Sequence, residues 1–216
     1  MIRKISLELQ KRQVYHKVEK NLILTRRSKI RIPPISRDIF YLLGVISGDG
    51  SLNISKRKRG GYHYLLRIYS GEKAYLQYLN NLIWKLFNVK GRIIKDMRKD
   101  SSFHISIQSA SMFFYFVILG SEIGKKKDGR LSNLIMENNQ NLLNFIAGLV
   151  DTDGHIIGRR VQLKQKRLRL LEDIESVSKL LDLNCSEPKI NYTNGVPFYY
   201  IRFDNKLPLR WKKQTF

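Results

Sequence analysis

Apolar positions along the chain recur with two different periods, and the switches between them lay out the elements. "SRDIFYLLGVISGDG" (36–50) is apolar on nearly every turn and predicts a buried helix. Ser36 is its candidate N-cap, and Gly50 the glycine past its end. In "SLNISKRKRGGYHYLLRIYS", Leu52 and Ile54 alternate with Asn53, Ser55 and Arg57. Tyr64, Leu66 and Ile68 alternate with His63, Leu65, Arg67 and Tyr69, and "RGG" between the two runs predicts a hairpin. Helical spacing returns at Tyr75, Leu79, Leu82, Ile83 and Leu86. "GRIIKDMR" and "SFHISIQS" then pair as a second hairpin, and "SMFFYFVILGSEIG" reads as a closing helix.

The second half starts over. "NQNLLNFIAGLVDTDGHI" predicts another apolar helix, "RRVQLKQK" a strand, and "RLLEDIESVSKLLDL" an amphipathic helix. "KINYTNGVPFYYIRFD" predicts a hairpin turning at Asn194-Gly195. Before all this stands a basic extension, residues 1–34, closed by Pro33-Pro34, which cannot continue a helix. The organisation read from the sequence is therefore 1–34, a first copy over 35–135 and a second over 136–216.

Overlaying the copies aligns "LLGVISGDG" (42–50) with "IAGLVDTDG" (146–154). Gly44 matches Gly148, and four residues on, Gly48 matches Thr152. Small residues at that spacing share one helical face and let two backbones touch, which would set the two helix ends side by side. Each helix then ends in an acid, Asp49 or Asp153, at the negative end of its own dipole. Two such carboxylates repel unless something positive lies between them, and a divalent cation fits oxygen ligands. Asp151 faces Ser47 in the overlay, so it is expected to be structural.

Charge adds a partner. The chain carries 40 Lys+Arg against 18 Asp+Glu, a net +22, an excess that implies a polyanion. Its 43% hydrophobic content is that of a globular protein, and no apolar run approaches the roughly 20 residues of a membrane span. The lone Cys185 excludes an internal disulfide and a cysteine metal cluster. With no apolar signal core in "MIRKISLELQKRQ", the expectation is an intracellular, cytosolic protein.

The paired segments resemble the LAGLIDADG motif of homing endonucleases, whose name "IAGLVDTDG" nearly spells. The resemblance runs over about residues 36 to 216 and fits the single-chain, two-motif form, hence a monomer. It implies an α+β fold of two αββαββα repeats related by a pseudo-twofold axis, with antiparallel sheets forming a saddle on duplex DNA. It also implies that Asp49 and Asp153 bind Mg²⁺ (or Mn²⁺) with help from the carbonyls of Gly48 and Thr152. One cut would be made in each strand across the minor groove. The family places a polar residue and a lysine at each second-strand end: Gln165 and Lys166 in the second copy, but Ser70 and Gly71 in the first. It also places a basic residue near each closing helix, for which Lys127 and Lys213 are the candidates within "GKKKDG" and "RWKKQ".

Strand alternation selects the residues that would face DNA. These are Asn53, Ser55, Arg57, Arg59, His63, Arg67 and Tyr69 in the first copy, and Arg160, Gln162 and Lys164 in the second. Arg92, Arg98, Lys189, Asn191 and Arg202 extend the set, and the basic extension could track phosphates further out. Trp84 and Trp211 read as packing residues. The function expected is a site-specific double-strand endonuclease encoded by an intron. A maturase that binds intron RNA, or a DNA-binding regulator without cleavage, would use the same scaffold.

Overall fold

The computed structural model describes all residues except 26–28, 59, 98–101, 127–128, 137, 158–159, 205–209 and 212–216. Along the chain run α1 (Ile2–Lys11), β1 (His16–Glu19), β2 (Leu22–Thr25), β3 (Lys29–Arg31), α2 (Arg37–Asp49), β4 (Gly50–Lys56) and β5 (Tyr62–Ser70). Then come α3 (Lys73–Phe87), β6 (Arg92–Lys95), β7 (Phe103–Gln108), α4 (Ala110–Ile118), α5 (Asn133–Met136) and α6 (Asn139–Asp153). The last elements are β8 (Gly154–Ile157), β9 (Arg160–Gln165), α7 (Leu168–Leu180), β10 (Lys189–Thr193) and β11 (Val196–Asp204). They build two compact units: Met1–Ile35 with Gly50–Lys125, and Ser36–Asp49 with Lys126–Phe216. Among the described residues three sheets form, each antiparallel, and the fold is α+β.

The first unit holds a four-stranded sheet in the order β4-β5-β7-β6. Leu52 is buried, and Leu66, Ile68, Ile105 and Ile107 of β5 and β7 are buried on the side of the sheet that α3 and α4 cover, as the alternation predicts. α3 buries Tyr75, Leu76, Leu79, Leu82, Ile83 and Phe87, and it ends at Asn88 in the left-handed conformation. Trp84 is 47% exposed, with the Lys90 ammonium 5.5 Å above its ring, and so is not the packing residue expected. One step past Ile83 turns it about 100° off the buried stripe.

α4 starts on Ser109, whose Oγ accepts from the Met112 N–H at 3.2 Å. It stops at Ile118, short of the expected closing helix, because the chain turns at Gly120 with φ of 106°. Ile123 instead bridges to Leu52, and the Gly124 N–H donates to the Leu52 carbonyl.

The basic extension is folded. α1 buries Ile5 and Leu9, four residues apart, on α4, and its Arg12 guanidinium stands 4.6 Å over the Phe114 ring. β1, β2 and β3 form a small sheet centred on the buried pair Ile23 and Ile30. Periodicity missed these strands because none exceeds four residues.

In the second unit the sheet runs β10-β11-β9-β8. β10 and β11 are joined at Asn194 (φ 49°) and Gly195 (φ 74°), the paired positive φ of a two-residue hairpin turn. α2 and α6 pack on each other, and every residue of α2 from Ile39 to Ile46 is buried. At the start of α2 the Ser36 carbonyl accepts from Ile39 and Phe40, while its Oγ is buried without a partner and caps nothing. Gly50 is already the first residue of β4. Gly154 is likewise extended, at φ −87° and ψ 158°. Neither is a left-handed terminator, and both helices run straight into strands. Gly154 is needed for space, since a Cβ there would lie 2.5 Å from the Val150 carbonyl oxygen.

Candidate active site

The site grows from the contact of α2 with α6. A Cβ on Gly44 would stand 2.0 Å from the Phe145 carbonyl oxygen, and one on Gly148 2.1 Å from that of Tyr41. Each backbone therefore rests on the other, reciprocally. One turn further on, a Cβ on Gly48 would meet Thr152 Oγ1 at 1.9 Å and Asp153 Oδ2 at 2.8 Å. The C-terminal ends lie side by side, as the spacing of small residues implied. Thr152 keeps its hydroxyl on its own helix, donating to the Leu149 carbonyl at 2.9 Å.

Asp153 is largely buried. Burial first, and then the negative charge of Asp49, push its carboxyl up to about 6, with Lys126, Gln165 and Arg167 pulling the other way. Gln165 Nε2 donates to Asp153 Oδ2 at 2.5 Å. The amide is itself held by Arg167, whose Nε and Nη2 donate to Gln165 Oε1 at 3.3 and 3.2 Å. Arg167 Nη2 also donates to the Ser47 carbonyl at 2.7 Å, tying the start of α7 to the end of α2. Lys126 Nζ donates to the Gly48 carbonyl. Arg167 escaped the sequence reading because it lies past the strand end, in a chain where one more arginine carries no signal. Lys126 lies within a run of three lysines with nothing to single it out. Lys166, the lysine expected here, is exposed, and Lys127 and Lys213 fall outside the described residues.

Asp151 has a different environment. It is 5% exposed, accepting from Tyr41 Oη at 2.8 Å and from the Trp211 backbone N–H at 2.9 Å. Arg210 beside it pairs with Asp38 at 2.6 Å, donates to Asn144 Oδ1 and lies 4.5 Å over the Tyr41 ring. These contacts fasten the chain after β11 to α2 and α6.

The donor set suits a hard divalent ion. Two carboxylates and main-chain oxygens are what such an ion takes, and the like charge at Asp153 is the penalty a cation relieves. Among the described residues no group of three or more His, Cys, Asp or Glu side chains gathers as a metal site. Mg²⁺ in particular is commonly held by one or two carboxylates, with waters and substrate phosphates completing its shell.

Each sheet also turns a polar face outward. In the first unit Asn53, Ser55, His63, Arg67, Tyr69 and Arg92 share that face, since Ser55 pairs with His63, Tyr69 with His104, and Arg67 and Arg92 both with Ser106. Arg57 leaves it. β4 ends at Lys56, Arg57 accepts from the Gly60 N–H and donates to the Gly61 carbonyl in the turn, and its charge acts on Tyr64 of the buried face. Arg59 is outside the described residues. In the second unit Arg160, Gln162, Lys164 and Arg202 share the outward face, with Arg202 opposite Gln162 and Tyr200 opposite Lys164.

The second of the two glycine-contacting helices, with the sheet and helix that follow it, lies in the stretch matched by a family model: the one described as a LAGLIDADG-like domain matches residues 140–204. Among solved structures the fold is that of the homing endonuclease I-DmoI. Its mesophilic variants align with a TM-score of 0.61 at 21% identity, covering 83% of this chain and 96% of theirs. I-DmoI in complex with DNA and Ca aligns at 0.59 with 22% identity, over 78% of this chain and 83% of that one. Two curated proteins of Methanocaldococcus jannaschii are also similar. Uncharacterized protein MJ0398 is 24% identical over 152 residues, 70% of this chain and 51% of the relative. Uncharacterized protein MJ0314 is 23% identical over 175 residues, 79% of this chain and 60% of the relative. The chain thus spans between about half and three fifths of their length.

Proposed function

We propose that the chain is a divalent-metal-dependent, site-specific endonuclease for double-stranded DNA, encoded within an intron. The observation that carries this reading is the convergence of Asp49 and Asp153 at the ends of two touching helices, where the charge of one raises the pKa of the other. The crystallised complexes of I-DmoI with DNA and Ca, and with DNA and Mn, support a metal and a duplex as partners. A net charge of +22 independently supports a polyanionic partner.

A bound Mg²⁺ or Mn²⁺ would supply Lewis acidity to the scissile phosphate and a more acidic water. Asp49 and Asp153 would hold it, with the Gly48 carbonyl, which accepts from Lys126, and the Thr152 carbonyl as the candidate main-chain ligands. Gln165 fixes which Asp153 oxygen is engaged, and Arg167 fixes Gln165 by occupying its carbonyl oxygen. Lys126 sets an ammonium on the Gly48 carbonyl and close enough to Asp153 to act on its charge, where it would offset negative charge on the attacked phosphate. Arg67 in one sheet, and Gln162 and Arg202 in the other, are polar side chains suited to base edges.

The test is cleavage of a randomised duplex pool with Mg²⁺. The expected outcome is a discrete set of cut sequences, with Asp153→Asn slower by about 10² or more. Cleavage that persists in chelator, or that Asp153→Asn leaves unchanged, would overturn the reading.

A further inference from the structure

A cavity of about 410 Å³ in the first unit is unused by the chemistry above. It opens between the folded extension and the sheet, lined by Arg12, Arg57, Tyr62, Tyr64, Gln108 and Ser109 among others. Its size is within the usual range of small-ligand pockets, about 300–1,000 Å³. The charge in it is one-sided, since none of the described residues that line it carries a carboxylate.

Arg57 brings a guanidinium whose Nε is buried without a hydrogen-bond partner, a donor desolvated at cost unless an acceptor arrives. Arg12 is held in place from behind, by Glu8 at 2.6 Å and by the Phe114 face at 4.6 Å. Arg12, Arg57 and Tyr64 all line this one cavity, and the charges of both arginines act against the rise that burial gives the Tyr64 hydroxyl. Tyr62, half-exposed, and Tyr15, 64% exposed, offer ring faces beside them. Gln108 shares a 2.5 Å hydrogen bond with His63 and joins this cavity to the outward face of the sheet.

We propose that this pocket binds one nucleoside 5′-phosphate unit, its phosphate between Arg12 and Arg57 and its base against Tyr62. Paired guanidiniums suit a phosphate by geometry as well as charge, and an aromatic face accepts any base. The proposal rests on the nucleic-acid reading above only for the source of the nucleotide, a strand that runs off the polar face past Gln108.

Amide shifts of the ¹⁵N-labelled full chain, in chelator, test it with four probes: 5′-dAMP, deoxyadenosine, inorganic phosphate and tetradeoxyadenylate. The expected result is saturable shifts at Gly61, Tyr62 and Ser109. Binding of 5′-dAMP should be about tenfold or more tighter than that of phosphate or the nucleoside alone. Arg57→Gln should weaken 5′-dAMP by about tenfold. Tyr62→Ala, at an exposed position that folding does not need, should bring its affinity down to that of phosphate. A tetramer binding tighter than the monomer assigns the pocket to a strand, and one binding equally assigns it to a free nucleotide; both support the site. Shifts scattered over surface lysines, phosphate binding as tightly as 5′-dAMP, or no effect of either variant would overturn it. Neither metal nor cleavage enters the readout, so a chain that never cuts DNA still decides the question.

Discussion

Burial and the charge of Asp49 hold the Asp153 carboxyl at about 6, above the 3.8 of a free aspartate. A carboxyl raised on folding binds its proton more tightly in the native state. Its contribution to stability is fully present below about pH 4 and is lost as pH rises through about 6, to an extent of about 3 kcal/mol. Urea unfolding of the metal-free chain should therefore show stability falling across that window. Asp153→Asn should flatten the fall and leave the protein more stable at pH 7 by about 1–3 kcal/mol, at the expense of cleavage. A variant less stable than the parent at pH 7 would contradict this. The neighbouring cations divide similarly. Lys126→Ala should slow cleavage by about 10² and the exposed Lys125→Ala by far less, compared in single-turnover assays. The two acids were legible in the sequence because a nine-residue pattern occurs twice. Lys126 was not, because three adjacent lysines differ only in where the backbone points them, and Arg167 acts through a side-chain amide that the sequence cannot orient.

The α2–α6 contact is the element that makes the site possible, and its glycines are the sensitive positions. Gly148→Ala would drive a methyl onto the Tyr41 carbonyl oxygen, at 2.1 Å, where only separation of the helices gives relief. A loss of roughly 2–4 kcal/mol is expected, against about 1 kcal/mol for Gly195→Ala, which meets no atom and suffers only from its positive φ. Equal losses in thermal unfolding would show the helices to be less tightly joined. Small residues at i and i+4 made this contact readable from the sequence. The long helices α3 and α7 and the hairpin at Asn194-Gly195 were readable for the same kind of reason, a period or a turn signal held over enough residues. The small sheet of the extension had neither, and the stop of α4 at Ile118 fell within an apolar run that continues to Leu119, so only Gly120 marked it.

For the molecule as a whole, chain order and spatial order part company. α2 begins the first copy in the sequence yet packs with the elements of the second, in the unit formed by Ser36–Asp49 and Lys126–Phe216. The candidate site exists only because that helix brings Asp49 to Asp153. Charge excess pointed to a polyanion without saying which surface meets it, and strand alternation then narrowed the choice to one face of each four-stranded sheet. Among the described residues no helix is long and apolar enough to cross a membrane. The claim on which the account turns is that these two acids, from the two copies of the motif, hold one kind of cation together. Calorimetric titration of Mn²⁺ into the full chain measures it directly. The account predicts binding at pH 7.5 that weakens below about pH 6, as Asp153 takes up its proton, and that drops by about tenfold or more in Asp49→Asn and in Asp153→Asn alike. Folded variants that bind Mn²⁺ as the parent does would contradict it.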